Sequence, residues 1–161
     1  RKRGGSVRCG QETDIIEWNG IEYGNGGNVK AVALDDNGKP VAEHTIRTAG
    51  RPVALHVTAG KSVLDADGND LMYLDVTAVD GKGNIVPDYS GKLTVTVEGE
   101  GSLLALDDAD HYTGLLFNGI NTKNMKDGRM QVIIRATENP GTVKVRLTTP
   151  QFRKIHTFTT R

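Results

Sequence analysis

The feature that most constrains this chain is a period of two. Apolar residues alternate with polar ones in short runs that recur every ten to fifteen residues or so, and Gly, Asn or Asp fills the gaps between them. Side chains on a strand point to opposite faces in turn, so such a run has one face to bury and one to wet. In Lys92 to Glu98 the apolar set is Leu93, Val95 and Val97, with Thr94, Thr96 and Glu98 opposite. Thr142 to Leu147 repeats the pattern, with Val143, Val145 and Leu147 directed inward and Lys144 and Arg146 outward. Met130 to Ala136 (MQVIIRA) is apolar on both faces apart from Gln131 and Arg135, which predicts a central strand covered on both sides. A helical period is almost absent, so the expected fold class is all-β.

Ala49 to Pro87 (AGRPVALHVTAGKSVLDADGNDLMYLDVTAVDGKGNIVP) carries two more such runs. A strand with Leu55 and Val57 inward leads into an Asp- and Gly-rich turn at Asp65 to Asp70. A second strand then ends at Asp80-Gly81-Lys82-Gly83-Asn84, ahead of Val86-Pro87. These are expected to be two strands joined across a sandwich. For Met72 to Val79 the favoured core set is Leu74, Val76 and Ala78, against Tyr73 and Val79; a one-residue slip in register would exchange them.

Ahead of Gly50, candidate strands lie at Thr13 to Trp18, Asn28 to Leu34 and Val41 to Thr48, with a hairpin turn at Asp35-Asp36-Asn37-Gly38 and a flexible connection at Gly24 to Asn28. Three strands are too few to close a sandwich, so residues 1–50 are expected to be a partial small β domain whose missing strands lie upstream, with an edge open to self-association. The Gly50-Arg51-Pro52 corner marks the boundary, and residues 51–161 form the second domain. The Arg1-Lys2-Arg3 start carries no initiating methionine and suggests a piece of a longer chain.

Composition narrows the function. Twenty basic residues balance 20 acidic ones in a chain of 161, so there is no surplus field to attract nucleic acid or an anionic membrane. Cys9 is the only cysteine, which excludes an intrachain disulfide or a cysteine zinc cluster. No apolar run approaches the roughly 20 residues of a membrane-spanning helix.

Individual site candidates are thin. Asp65, Asp67, Asn69 and Asp70 offer oxygen ligands, but the sixth position of an EF-hand loop would be Asp70 where glycine is needed, and the twelfth Val76 where glutamate is needed; a turn is expected. Asp107, Asp108, Asp110 and His111 are expected to form a solvated loop. His44, His56, His111 and His156 lack paired ligand spacing, Ser62 and Ser90 lack a nucleophile elbow, and no metal or cofactor is expected. The long segment Asp107 to Arg129 is the least regular; it carries Tyr112, Leu115, Leu116 and Phe117, and Leu116 and Phe117 are expected to fold back over the open end of the sandwich. Trp18, Tyr23, Tyr112 and Phe117 are the candidates for carbohydrate or domain contact, since aromatic rings stack on sugar faces.

The segment NVKAVALDDNGKPVAEHTIRTAG (Asn28 to Gly50), running into Arg51-Pro52-Val53-Ala54-Leu55, resembles the join between two C-terminal β domains of family 2 glycoside hydrolases of the bacterial β-galactosidase type. There a hairpin of the form AxGxVVAxxxxRTAG precedes an immunoglobulin-like domain opening with PxxLxLTAD and ADGxDLxY. The matching residues are Ala31 to Gly50, Pro52 to Gly60, and Ala66 to Tyr73. The resemblance implies an immunoglobulin-like antiparallel β-sandwich after the partial domain, in a non-catalytic accessory region that packs against a catalytic barrel and other domains of the same chain or touches carbohydrate. It also implies a periplasmic or extracellular setting. Such enzymes use two glutamates about 5 Å apart on a barrel of roughly 250 residues, which this chain is too short to contain. None of Glu12, Glu17, Glu22, Glu43, Glu98, Glu100 and Glu138 sits in a catalytic motif of that family, so no catalytic residue is carried over. The alternative is a stalk or adhesion repeat of a bacterial surface protein, because Asp67-Gly68 and Asp80 to Asn84 with Val86-Pro87 also resemble invasin-type immunoglobulin-like repeats. A free-standing carbohydrate-binding module is a third class.

Overall fold

The computed structural model describes residues 7–9, 16–18, 26–110 and 119–161, the first two stretches as backbone only. Every regular element among them is a strand, and the chain divides into two compact units, Arg1–Thr48 and Ala49–Arg161.

In the first unit β1 (Val7–Cys9) pairs antiparallel with β2 (Ile16–Trp18), and β3 (Asn28–Leu34) with β4 (Pro40–Arg47). The expected turn joins the latter two. Asp35 Oδ1 accepts the amides of Asn37 at 3.0 Å and Lys39 at 2.8 Å, so the turn is closed by a short acid. Val29 pairs with Ile46 and Ala33 with Ala42, placing apolar residues together on one face, yet Val29, Val41 and Ile46 are exposed.

The second unit is a sandwich. One sheet runs in the order β5 (Pro52–Ala59), β7 (Leu71–Asp80), β11 (Arg129–Ala136), β9 (Gly101–Asp107). The other runs β10 (Thr122–Asn124), β8 (Lys92–Gly99), β12 (Gly141–Thr148), β13 (Arg153–Thr160), β6 (Val63–Leu64). All pairings are antiparallel except β13 with β6. The core between them is built from one face of each strand: Leu55, Met72, Leu74, Val76, Val132 and Ile134 meet Leu64, Leu93, Val95, Val143, Val145 and Leu147. The favoured register of β7 is the observed one, with Leu74, Val76 and Ala78 fully buried and Tyr73 outside.

Three expectations change. β5 and β7 are neighbours in one sheet rather than strands on opposite sides, because β6 makes the crossing between them. β11 is central but covered on one face only: Met130, Val132, Ile134 and Ala136 are buried, while Ile133 is half-buried and Arg135 is exposed on the outer face. The segment Asp107 to Arg129 is less irregular than its composition suggests, since it contains β10 and a two-residue turn into β11. In that turn Asp127 and Gly128 both have positive φ, as a type I′ turn requires, and Lys126 and Arg129 exchange backbone hydrogen bonds.

Glycine is needed where the chain leaves β8 to change sheets. Gly99 has φ of 91°, and a Cβ there would lie 2.0 Å from the Thr142 carbonyl oxygen.

Candidate functional site

Three of the described glutamates, Glu98, Glu100 and Glu43, hold neighbouring side chains in place. Glu98 on β8 is paired with Arg146 at 2.9 Å and Lys144 at 3.8 Å across to β12, and the Arg146 hydrogen bond, with the charges of Arg146 and Lys144, lowers its carboxyl from the ordinary range. Glu100 accepts the Thr137 hydroxyl, and Glu43 pairs with Lys30 at 2.6 Å. Each of these three acids therefore has a structural partner.

Asp65 to Asp70 form a turn whose carboxylates cap their own backbone. Asp67 Oδ1 accepts the amides of Asn69 and Asp70, both at 2.8 Å, and those two bonds lower its pKa. Asp70 is paired with Lys61 and also accepts the amides of Asp65 at 3.0 Å and Leu71 at 2.9 Å; the Lys61 hydrogen bond is the main reason its pKa is lowered. Asp67 Oδ1 and both Asp70 oxygens are thus committed to N–H donors of the chain itself.

Asp80 closes the entrance of the sandwich. Its buried carboxylate accepts the Gly50 amide at 2.8 Å, the Asn84 side-chain amide, and the amides of Asn84 at 2.8 Å and Lys82 at 2.9 Å. These donors, the Gly50 amide foremost and the Asn84 side chain next, hold its carboxyl far below the ordinary range despite the opposing effect of burial.

The Asp107 to Asp110 segment is not merely solvated. Lys123, directed into the protein from β10, pairs with Asp108 at 2.7 Å, and both side chains are about nine-tenths buried. Burial pushes the Asp108 carboxyl up, but the Lys123 hydrogen bond, the Asp110 amide and the Lys123 charge outweigh it and leave the pKa lowered. Lys126 meets Asp110 at 3.3 Å, so two ion pairs fasten this segment to the β10–β11 connection.

Between these turns lies an open cleft of about 480 Å³ on the outer face of the four-stranded sheet. Its floor is Asp75 and Thr77 of β7 with Gln131 and Arg129 of β11, and Gln131 Nε2 donates to Asp75 Oδ1 at 3.1 Å. A second hollow is lined by Lys61, Ser62 and His156. Burial, then the charge of Lys154, lowers the His156 pKa, but no hydrogen bond among the described residues joins Ser62 to that ring. His44 and His56 sit on β4 and β5.

Of the aromatic candidates, Trp18 ends β2, with only its backbone described, and Tyr23, Tyr112 and Phe117 lie outside the described residues, as do Leu115, Leu116 and His111. Tyr73, which the sequence offered only as the wrong-face option for β7 and as the end of the Ala66 to Tyr73 match, stands exposed beside the cleft floor. Its signal was the alternation itself: a large ring on the face opposite the core.

Residues 55–157, nearly the whole sandwich, match the glycoside hydrolase family 2 C-terminal domain 5. Beta-galactosidase BoGH2A of Bacteroides ovatus is 33% identical over 135 residues, covering 80% of this chain and 15% of that enzyme. A beta-galactosidase of Thermoanaerobacter pseudethanolicus is 31% identical over 119 residues, 74% of this chain and 14% of that enzyme. The chain thus spans about a seventh of the length of these relatives. Among solved structures, a glycosyl hydrolase family 2 member from Bacteroides cellulosilyticus shares the fold, with a TM-score of 0.81 at 20% identity over 96% of this chain and 21% of that one. A beta-glucuronidase from glycoside hydrolase family 2 shares it with a TM-score of 0.76 at 23% identity, over 91% and 15%. These relatives favour a glycosidase accessory domain over a surface stalk. The chain belongs to glycoside hydrolase family 2, as a C-terminal domain that carries a β-sandwich and not the catalytic site.

Proposed function

We propose that this chain supports, from the C-terminal side, an enzyme that hydrolyses β-galactosidic bonds. The observation that carries this is the family match across residues 55–157 together with two β-galactosidase relatives above 30% identity. The structure is compatible with a supporting role: among the described residues, Asp67, Asp70, Asp80, Glu98 and Asp108 are committed to backbone amides or to cations. Its partners are then the catalytic barrel and the neighbouring domains of its own polypeptide.

A chromogenic β-galactoside assay on three proteins tests this: the full-length parent, the parent lacking residues 49–161, and this chain alone. The expected result is turnover by the parent, none by this chain, and a truncated parent with lower thermal tolerance or altered KM. A parent inactive on β-galactosides but active on another β-glycoside would move the substrate assignment; full activity and stability after truncation would remove the supporting role.

A further inference from the structure

The outer face of the four-stranded sheet carries more order than a solvated surface needs. Strand register sets Thr58, Asp75, Gln131 and Asp107 side by side on β5, β7, β11 and β9. At about 4.8 Å between strands this polar row spans roughly 14 Å. Gln131 and Asp75 are already hydrogen-bonded to each other, which fixes their planes and leaves the second Asp75 oxygen and the Gln131 amide oxygen as acceptors. One step along the same face, about 7 Å away, Tyr73 is 43% exposed and pairs in register with half-buried Ile133. The face therefore offers a planar hydrogen-bonding row beside a ring platform.

We propose that this face binds a neutral oligosaccharide chain. A sugar ring presents hydroxyl groups at its edge and C–H bonds on its face, which match the polar row and the Tyr73 ring respectively. The turns at Asp107 to Asp110 and Lys126 to Arg129 raise two walls around a cleft of about 480 Å³, within the usual range for small-molecule sites. Charge selects against polyanions. Lys123 is paired with Asp108 and Lys126 with Asp110, which leaves Arg129 alone among the lining cations to offset Asp75, Asp107 and Asp127, so there is no cationic surplus to hold phosphates or uronates. This property belongs to the sandwich itself and goes beyond the parent's reaction: it holds whichever β-glycoside the parent cleaves.

Affinity electrophoresis of this chain through gels containing galactan, galactomannan, xyloglucan or polygalacturonate tests it. Retardation is expected in at least one neutral polysaccharide and not in polygalacturonate, with at least a tenfold weakening in Tyr73→Ala and in Gln131→Ala at unchanged Tm. Ile155→Ala, on the opposite sheet, leaves retardation unchanged. Amide shift changes in the wild-type chain, titrated with the retarding polysaccharide's oligosaccharides, fall on residues around Tyr73, Asp75 and Gln131, which covers the case of a variant that fails to fold. No retardation by any neutral polysaccharide overturns the proposal. So does retardation by polygalacturonate alone, retention in both variants, or shift changes confined to another face.

Discussion

The β3–β4 hairpin and the sandwich are written in the same alternating code and reach opposite ends of it. In the hairpin, Val29, Val41 and Ile46 keep 48%, 64% and 62% of their surface exposed, while Leu74, Val143 and Leu147 of the sandwich keep none. Alternation specifies that a strand has an apolar face; only a second sheet makes that face a core. The same apolar side chains thus carry little stability in one unit and most of it in the other.

The largest expected effect follows from that contrast. Leu147→Ala removes a fully buried side chain between the sheets and is expected to cost about 4 kcal/mol, read as a drop in urea midpoint at constant slope. A loss below about 1 kcal/mol would mean the sandwich packs no better than the hairpin. Gly99→Ala should cost about 3 kcal/mol, from a left-handed backbone and a collision with the Thr142 carbonyl; a neutral outcome would show that the crossover from β8 to β9 relaxes freely. Asp108→Ala deprives buried Lys123 of its carboxylate, and about 2 kcal/mol is expected, discounted from a fully enclosed pair because Asp108 lines an open cleft.

Acid acts next. The carboxyls of Asp80 and Asp108 titrate below the ordinary range in the fold, so both states are ionised at neutral pH and the stabilisation is fully present there. As pH falls through about 4 the unfolded chain takes up protons first and that stabilisation is lost. Urea midpoints measured from pH 6 to pH 3 should therefore fall, and Asp80→Asn should flatten the decline; an unchanged slope would deny Asp80 its role. The smallest effect belongs to the hairpin: Ile46→Ser should stay within about 0.5 kcal/mol, and a larger loss would show that this exposed face is covered in solution.

What the sequence reveals follows the same division between pattern and partner. β8 and β12 are legible because Leu93, Val95, Val143, Val145 and Leu147 fall on one face without interruption. β9 is not, because a register shift opposite Ile133 and Ile134 breaks its alternation at Leu104. In β13 the pattern is inverted: Ile155 faces out while Thr160 is buried and bonded to Gly141. β10 hides a buried cation, Lys123, whose partner is 15 residues away. Asp127-Gly128 was readable turn chemistry in a stretch that composition made look formless. The row from Thr58 to Asp107 could not be read at all, since it exists only through register between strands distant in sequence.

The bond from the Gly50 amide to Asp80 has a mechanical side. β5 is an edge strand, and its first residue, Pro52, lies opposite Asp80 at the end of the ladder. Tension applied through the backbone ahead of Gly50 would meet its first resistance there, before any rung of β5 is loaded. A zipper opens from its end, and this one is pinned there by a carboxylate that also fastens the next turn of the chain. Pulled slowly, the sandwich should yield in a single step when that pin fails, rather than by gradual peeling of its edge.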